Sequence, residues 1–142
     1  MMEIPLWVAR HEAGHAVAAE YLGARCREVR IGRQNGMTRV RFSGRLDPIV
    51  AGIIACAGHA ANVKWDRRSK ATLPTDDFNI TRMLGFRGRS LRTIALHARG
   101  VVDEIAPAVQ LVARRLKERR KMNRRELRRL MREAGVEPGS GN

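Results

Sequence analysis

The sequence predicts a mainly α-helical protein of the α+β kind, with packed helices and one small antiparallel β-hairpin. Three observations lead there. Apolar residues recur at helical spacing over most of the chain, and the period shortens to two only between Cys26 and Phe42. Aromatic residues make up 4% of the sequence, so the core must be built from Ala, Val, Leu, Ile and Met, a set that suits helix packing better than a β-sandwich. At 142 residues the chain is expected to form one domain, over 1–135, with a disordered tail over 136–142.

Residues 5–22 read as the first helix. Trp7, Val8, Ala18, Ala19 and Leu22 stand at helical spacing, and Gly23 follows as a stop. This helix carries His11-Glu12-Ala13-Gly14-His15. Histidines at i and i+4 face the same side, because that spacing is just over one turn. Their imidazoles can share one Zn²⁺ without backbone distortion. Glu12 stands close enough to take a proton from a zinc-activated water. The bland alternative is an amphipathic helix with two satisfied surface histidines.

The hairpin is expected over roughly 27–32 and 38–43, joined through Gln34-Asn35-Gly36, since Asn-Gly is a strong turn signal. Basic residues on its exposed face read as solvated edge charges, with substrate contact as the alternative.

Asp47-Pro48 announces the second helix, with Asp as N-cap and Pro at the first helical position. Residues 48–64 are apolar almost all round, which marks a buried helix. His59 lies inside it and reads as a core or supporting histidine, held as a reserve metal ligand. Residues 64–74 read as a polar connector. Thr75 then caps a short helix with Asp76 and Asp77 in its first turn, where the helix dipole favours carboxylates. One of these aspartates is a candidate third, oxygen ligand for a catalytic zinc. Gly85 and Gly88 end the segment.

From Ser90 a long helical pattern runs through Leu116, with Gly100 and Pro107 as points where it could kink or split. Asn123 and Glu126 form a capping-box start for the last helix, and Leu127, Leu130 and Met131 give it an apolar face.

Charge bounds the partners. With 28 basic against 14 acidic residues, the net charge is +14, which favours nucleic acid, an anionic surface or an acidic protein. Many of these cations lie between Arg114 and Arg132, interleaved with apolar residues at helical spacing. Loose electrostatic affinity for polyanions is expected from that run, and sequence-specific recognition is not, since neither a helix-turn-helix signature nor a stacking set is present. Two cysteines, Cys26 and Cys56, exclude a disulfide framework and make a reducing, cytoplasmic setting the expectation. The longest apolar stretch, 49–58, is too short to span a bilayer.

The order of these features resembles the peptidase domain of the FtsH-type ATP-dependent zinc metalloproteases. Ala9 to Val17 is similar to that family's zinc helix, including the Ala-Gly between Glu and the second His. Ala57-Gly58-His59-Ala60-Ala61 is similar to its Gly-Gly-Arg-Ala-Ala segment, and Thr75-Asp76-Asp77-Phe78 stands where it has Ser-Asn-Asp-aliphatic. Val112-Ala113 to Leu116, Met122-Asn123 and Glu126-Leu127 are similar to its closing helix-turn-helix. The resemblance covers roughly 6–133. It implies zinc held by His11, His15 and Asp77, with Glu12 as the catalytic base of an endopeptidase.

Departures sharpen the expectation. His59 replaces the family's Arg, and Asn62 stands where Glu is usual. The family's membrane anchor and ATPase module are not among these residues, so a stand-alone domain acting on unfolded or flexible polypeptides is expected, with a separate unfoldase as a candidate partner. The ring-shaped hexamer is not carried over. Extended substrate could add to 29–31 or to the partner strand. The alternative class is a non-proteolytic basic binding or regulatory module on the same fold. A different zinc hydrolase is a further one.

Overall fold

The computed structural model describes residues 5–32, 36–41, 47–66 and 81–139. It is mainly helical with one small antiparallel sheet. In chain order the elements are α1 (Leu6–Tyr21), β1 (Arg25–Ile31), β2 (Gly36–Arg41), α2 (Pro48–Trp65), α3 (Arg89–Arg119), β3 (Lys121–Asn123) and α4 (Arg124–Glu133). Helices α1, α2 and α3 pack against one another in all three pairings, and the sheet lies against α1 and α4.

Local chemistry accounts for most of these boundaries. The Asp47 carboxylate accepts from the Ile49 N–H at 2.8 Å, capping α2 ahead of Pro48. Asn123 Oδ1 accepts from the Glu126 N–H at 2.9 Å, the first half of the expected capping box. Helix α2 is buried at every position from Ala51 to Asn62, as its apolar circumference requires. Tight crossing with α1 depends on two glycines. A Cβ on Gly14 would meet Ala57 O at 2.7 Å, and one on Gly58 would meet the His15 ring and His11 O, the latter at 2.8 Å. The Ala-Gly inside the histidine motif therefore has a packing reason.

Five expectations need correcting. The hairpin became one part of a three-stranded sheet in the order β2-β1-β3, because β3 pairs antiparallel with β1 at Glu28↔Asn123, Val29↔Met122 and Arg30↔Lys121. The strands also begin about two residues earlier than expected, with Ile31 opposite Gly36. β1 is thus paired on both sides at 28–30 and Ile31 N–H donates to Arg120 O at 2.8 Å, so 29–31 offers no edge to a substrate; among the described residues β2 is an edge strand. Helix α3 runs unbroken past Gly100 and Pro107, since its buried stripe from Ile94 to Leu116 outweighs the one backbone bond Pro107 removes. Finally, 136–139, expected to begin a free tail, is held in place. Gly139 N–H donates to Glu20 O at 2.8 Å, Arg128 Nη1 donates to Gly139 O at 3.1 Å, and Val136 and Pro138 are buried.

Part of the arginine-rich end also serves the fold. Glu20 is fully buried. Its carboxylate accepts from the Cys26 N–H at 2.7 Å, Arg124 Nε at 2.9 Å and Arg128 Nη1 at 2.7 Å. This ties α1 to β1 and α4. Among the described residues no helix is long and apolar enough to cross a membrane.

Candidate functional site

Helix α1 places His11, Glu12 and His15 beside α2 on one side and β2 on the other. Glu12 and His15 are buried, and His11 is half-buried. The His11 and His15 rings meet edge to face with centroids 4.7 Å apart, and their Nε2 atoms are 3.1 Å apart. Two nitrogens at that separation, each at the ~2.0–2.1 Å zinc–nitrogen distance, enclose an angle of roughly 100°, close to the tetrahedral preference of zinc. The donor set fits that ion.

Each ring is oriented by its other nitrogen. His15 Nδ1–H donates to the backbone oxygen of Ile54 in α2 at 2.8 Å. A carbonyl only accepts, so His15 keeps its proton on Nδ1 and its lone pair on Nε2. His11 Nδ1 lies 3.1 Å from Asn62 Nδ2, while Asn62 Oδ1 is buried with no partner among the described residues. With the amide nitrogen donating, His11 carries its proton on Nε2 and passes it toward His15 Nε2. Half a turn of the amide exchanges its two ends. Oδ1 then accepts from His11 Nδ1–H, and both Nε2 atoms carry a lone pair. A buried amide with an orphaned oxygen is costly, and the turned arrangement gives that oxygen a donor in His11 Nδ1–H.

Glu12 is fixed from the sheet. Thr38 Oγ1, on β2, lies 2.8 Å from Glu12 Oε1 and 3.2 Å from Glu12 O. Sequence reasoning missed Thr38, because nothing local marks one hydroxyl in a strand as the partner of a distant carboxylate. Asn62 was singled out only as a departure from the resembled family.

The remaining expected residues fall differently. Among the described residues no three His, Cys, Asp or Glu side chains come close enough to hold a metal ion, so His59 does not complete a cluster with His11 and His15. Asp76 and Asp77 lie outside the described residues, as does the capping role of Thr75. Neither cysteine is disulfide-bonded. Burial, with Glu20 and Glu12 adding to it, pushes the Cys26 thiol up to about 12, so Cys26 is no thiolate nucleophile near neutral pH. No protein-family model matches the chain, and no curated protein matches it.

Proposed function

We propose that this protein is a zinc-dependent endopeptidase similar to the FtsH-type peptidase domain, cutting unfolded or flexible polypeptides. One observation carries the reading: two imidazole nitrogens 3.1 Å apart on consecutive turns of α1, with the Glu12 carboxylate between them in sequence. His11 and His15 would hold the metal, with Asp77 as the third ligand that the resemblance implies.

Zinc in this position supplies acidification of a water and polarisation of the scissile carbonyl. Glu12 accepts the proton of the attacking water and returns it to the leaving amine. Thr38 holds the Glu12 carboxylate through Oε1 during that transfer. Ile54 O and the Asn62 amide orient the two imidazoles. The outer edge of β2 runs beside Glu12 and offers backbone groups to an extended chain. A folded protein does not present such a segment, so casein is cut and a tightly folded protein is spared unless an unfoldase delivers it.

The test is metal content of the purified protein, wild type against His15→Ala and Asp77→Ala, with casein cleavage assayed alongside. One zinc per chain, lost in both variants together with cleavage, is expected. Zinc retained by Asp77→Ala moves the third ligand to another residue. A wild type that neither binds zinc nor cuts casein after zinc is supplied overturns the proposal.

A further inference from the structure

The two basic stretches that stand apart in the sequence come together on one face. The outward side of the sheet and the C-terminal end of α3 bound a groove of about 610 Å³, lined by Arg27 and Arg30 of β1, Arg119 of α3 and Lys121 of β3. Glu28 and Glu126 also line it. Glu28 is paired with Arg30 at 3.0 Å, and Glu126 stands 3.6–3.9 Å from Arg115, Arg119 and Arg129, one carboxylate against three guanidiniums. Arg27 and Lys121 have no ion pair among the described residues. The face keeps a positive excess.

Two local features here work against the fold, and each adds a cation to this face. The β1–β2 register shifts between Cys26 and Glu28, leaving Arg27 without a partner and exposed at a bulge. Arg30 and Lys121 are directly opposite each other across the β1–β3 ladder and both are exposed, a like-charge pairing that destabilises a sheet. The α3 dipole alone would explain Lys117 and Arg119 in its last turn. It does not reach Arg27 and Arg30.

We propose that this face binds the phosphate backbone of a nucleic-acid duplex without reading its sequence. Arginine matches phosphate through its planar fork, and neutralised phosphates release counterions. Among the described residues no aromatic side chain lines the groove, so no stacking of unpaired bases is offered there and a duplex is favoured over a single strand. An acidic protein would need an apolar anchor at the centre of its interface. Among the described residues the exposed large apolar side chains, Trp7, Ile49, Met83 and Leu96, all lie elsewhere. None of the groove residues belongs to the His11–Glu12–His15 site, so the inference stands apart from the peptidase reading.

Fluorescence polarisation of a labelled, mixed-sequence DNA duplex of ~20 base pairs tests it. With Arg27, Arg30 and Lys121 each neutralising one phosphate, affinity falls about 40-fold between roughly 50 and 200 mM salt. In the triple variant Arg27→Gln, Arg30→Gln, Lys121→Gln the log–log salt slope shrinks by about 3, while casein cleavage is unchanged. The control Arg89→Gln, Arg92→Gln, Arg99→Gln removes the same charge from exposed positions of α3 and keeps the wild-type slope. Thermal melting verifies that both variants fold; should the triple variant melt early, Lys121→Gln alone lowers the slope by about 0.9. An equal fall in variant and control overturns the proposal, as does a wild type indifferent to salt. Tighter binding of a poly-glutamate peptide than of the duplex overturns it in favour of an acidic protein partner.

Discussion

Thr38 Oγ1 donates to Glu12 Oε1 across 2.8 Å, and the same oxygen lies 3.2 Å from the Glu12 backbone carbonyl. One hydroxyl of β2 thus sets both the rotamer of the proposed general base and the distance between strand and helix. Glu12 is buried, so a carboxylate that loses this donor has little water to replace it.

Replacing Thr38 by Val keeps the shape and removes the donor. About 1–1.5 kcal/mol of positioning is lost, which lowers kcat roughly tenfold with KM and zinc content little changed. Thr38→Ser restores the hydroxyl and most of the rate. Steady-state kinetics on a flexible peptide, with metal analysis of each variant, check this. A Val variant at wild-type rate removes Thr38 from the mechanism.

Asn62 controls which nitrogen of His11 carries the proton. Asn62→Asp can only accept at neutral pH, so it holds the proton on His11 Nδ1 and leaves the Nε2 lone pair for metal. Asn62→Leu offers neither donor nor acceptor, and a lost supporting partner typically costs 10–100-fold in metal affinity. Zinc titration against a competing chelator should rank Asp above Asn above Leu. Equal affinities would show that the amide does not act on the site.

Gly58 leaves no room for a methyl group. Its Cβ would meet the His15 ring, so Gly58→Ala separates α1 from α2 or turns the imidazole, at roughly 1–3 kcal/mol. Zinc binding weakens with it. Gly100 sits in α3 with open space around its Cβ position, and Gly100→Ala is expected to stabilise by about 0.5–1 kcal/mol. Chemical denaturation of the two variants gives opposite signs.

Glu20 is the acidic centre of the α1–α4 contact. Glu20→Ala removes the carboxylate that Arg124, Arg128 and the Cys26 N–H share. The expected loss is about 3 kcal/mol, or a melting temperature lower by roughly 6–12 °C. A change within 2 °C, well below that range, would mean the carboxylate only offsets its own desolvation.

The Cys26 thiol makes stability depend on alkaline pH. Burial is the largest cause of its rise, from 9.0 to about 12, with Glu20 and Glu12 adding to it. The unfolded chain ionises first, so the contribution is complete below pH 9.0 and is lost progressively between 9.0 and about 12. Cys26→Ala should flatten that part of the stability profile relative to wild type. Alkylation of the native protein near neutral pH should also be slow at this residue.

What the sequence determined by itself is what neighbours along the chain can settle. The histidine pair at i and i+4, the Asp47 and Asn123 caps and the all-round apolar character of α2 are properties of one or two helical turns. Each appears in the structure where its residues stand. The hairpin was legible too, from its period-two pattern, to within two residues at its ends. Only the tertiary structure decided the rest. β3 pairs with β1 across some ninety residues, a run of three too short to carry a strand period of its own. Thr38 and Asn62 reach the site from other elements, and the buried carboxylate opposite Arg124 and Arg128 lies 104 and 108 residues away. Arg27, Arg30 and Lys121 become neighbours by strand register alone. The physical reason is common to all of them. Propensity and capping act over a few residues, whereas hydrogen bonds and charge pairs act over a few ångströms, and packing alone decides which distant residues come that close.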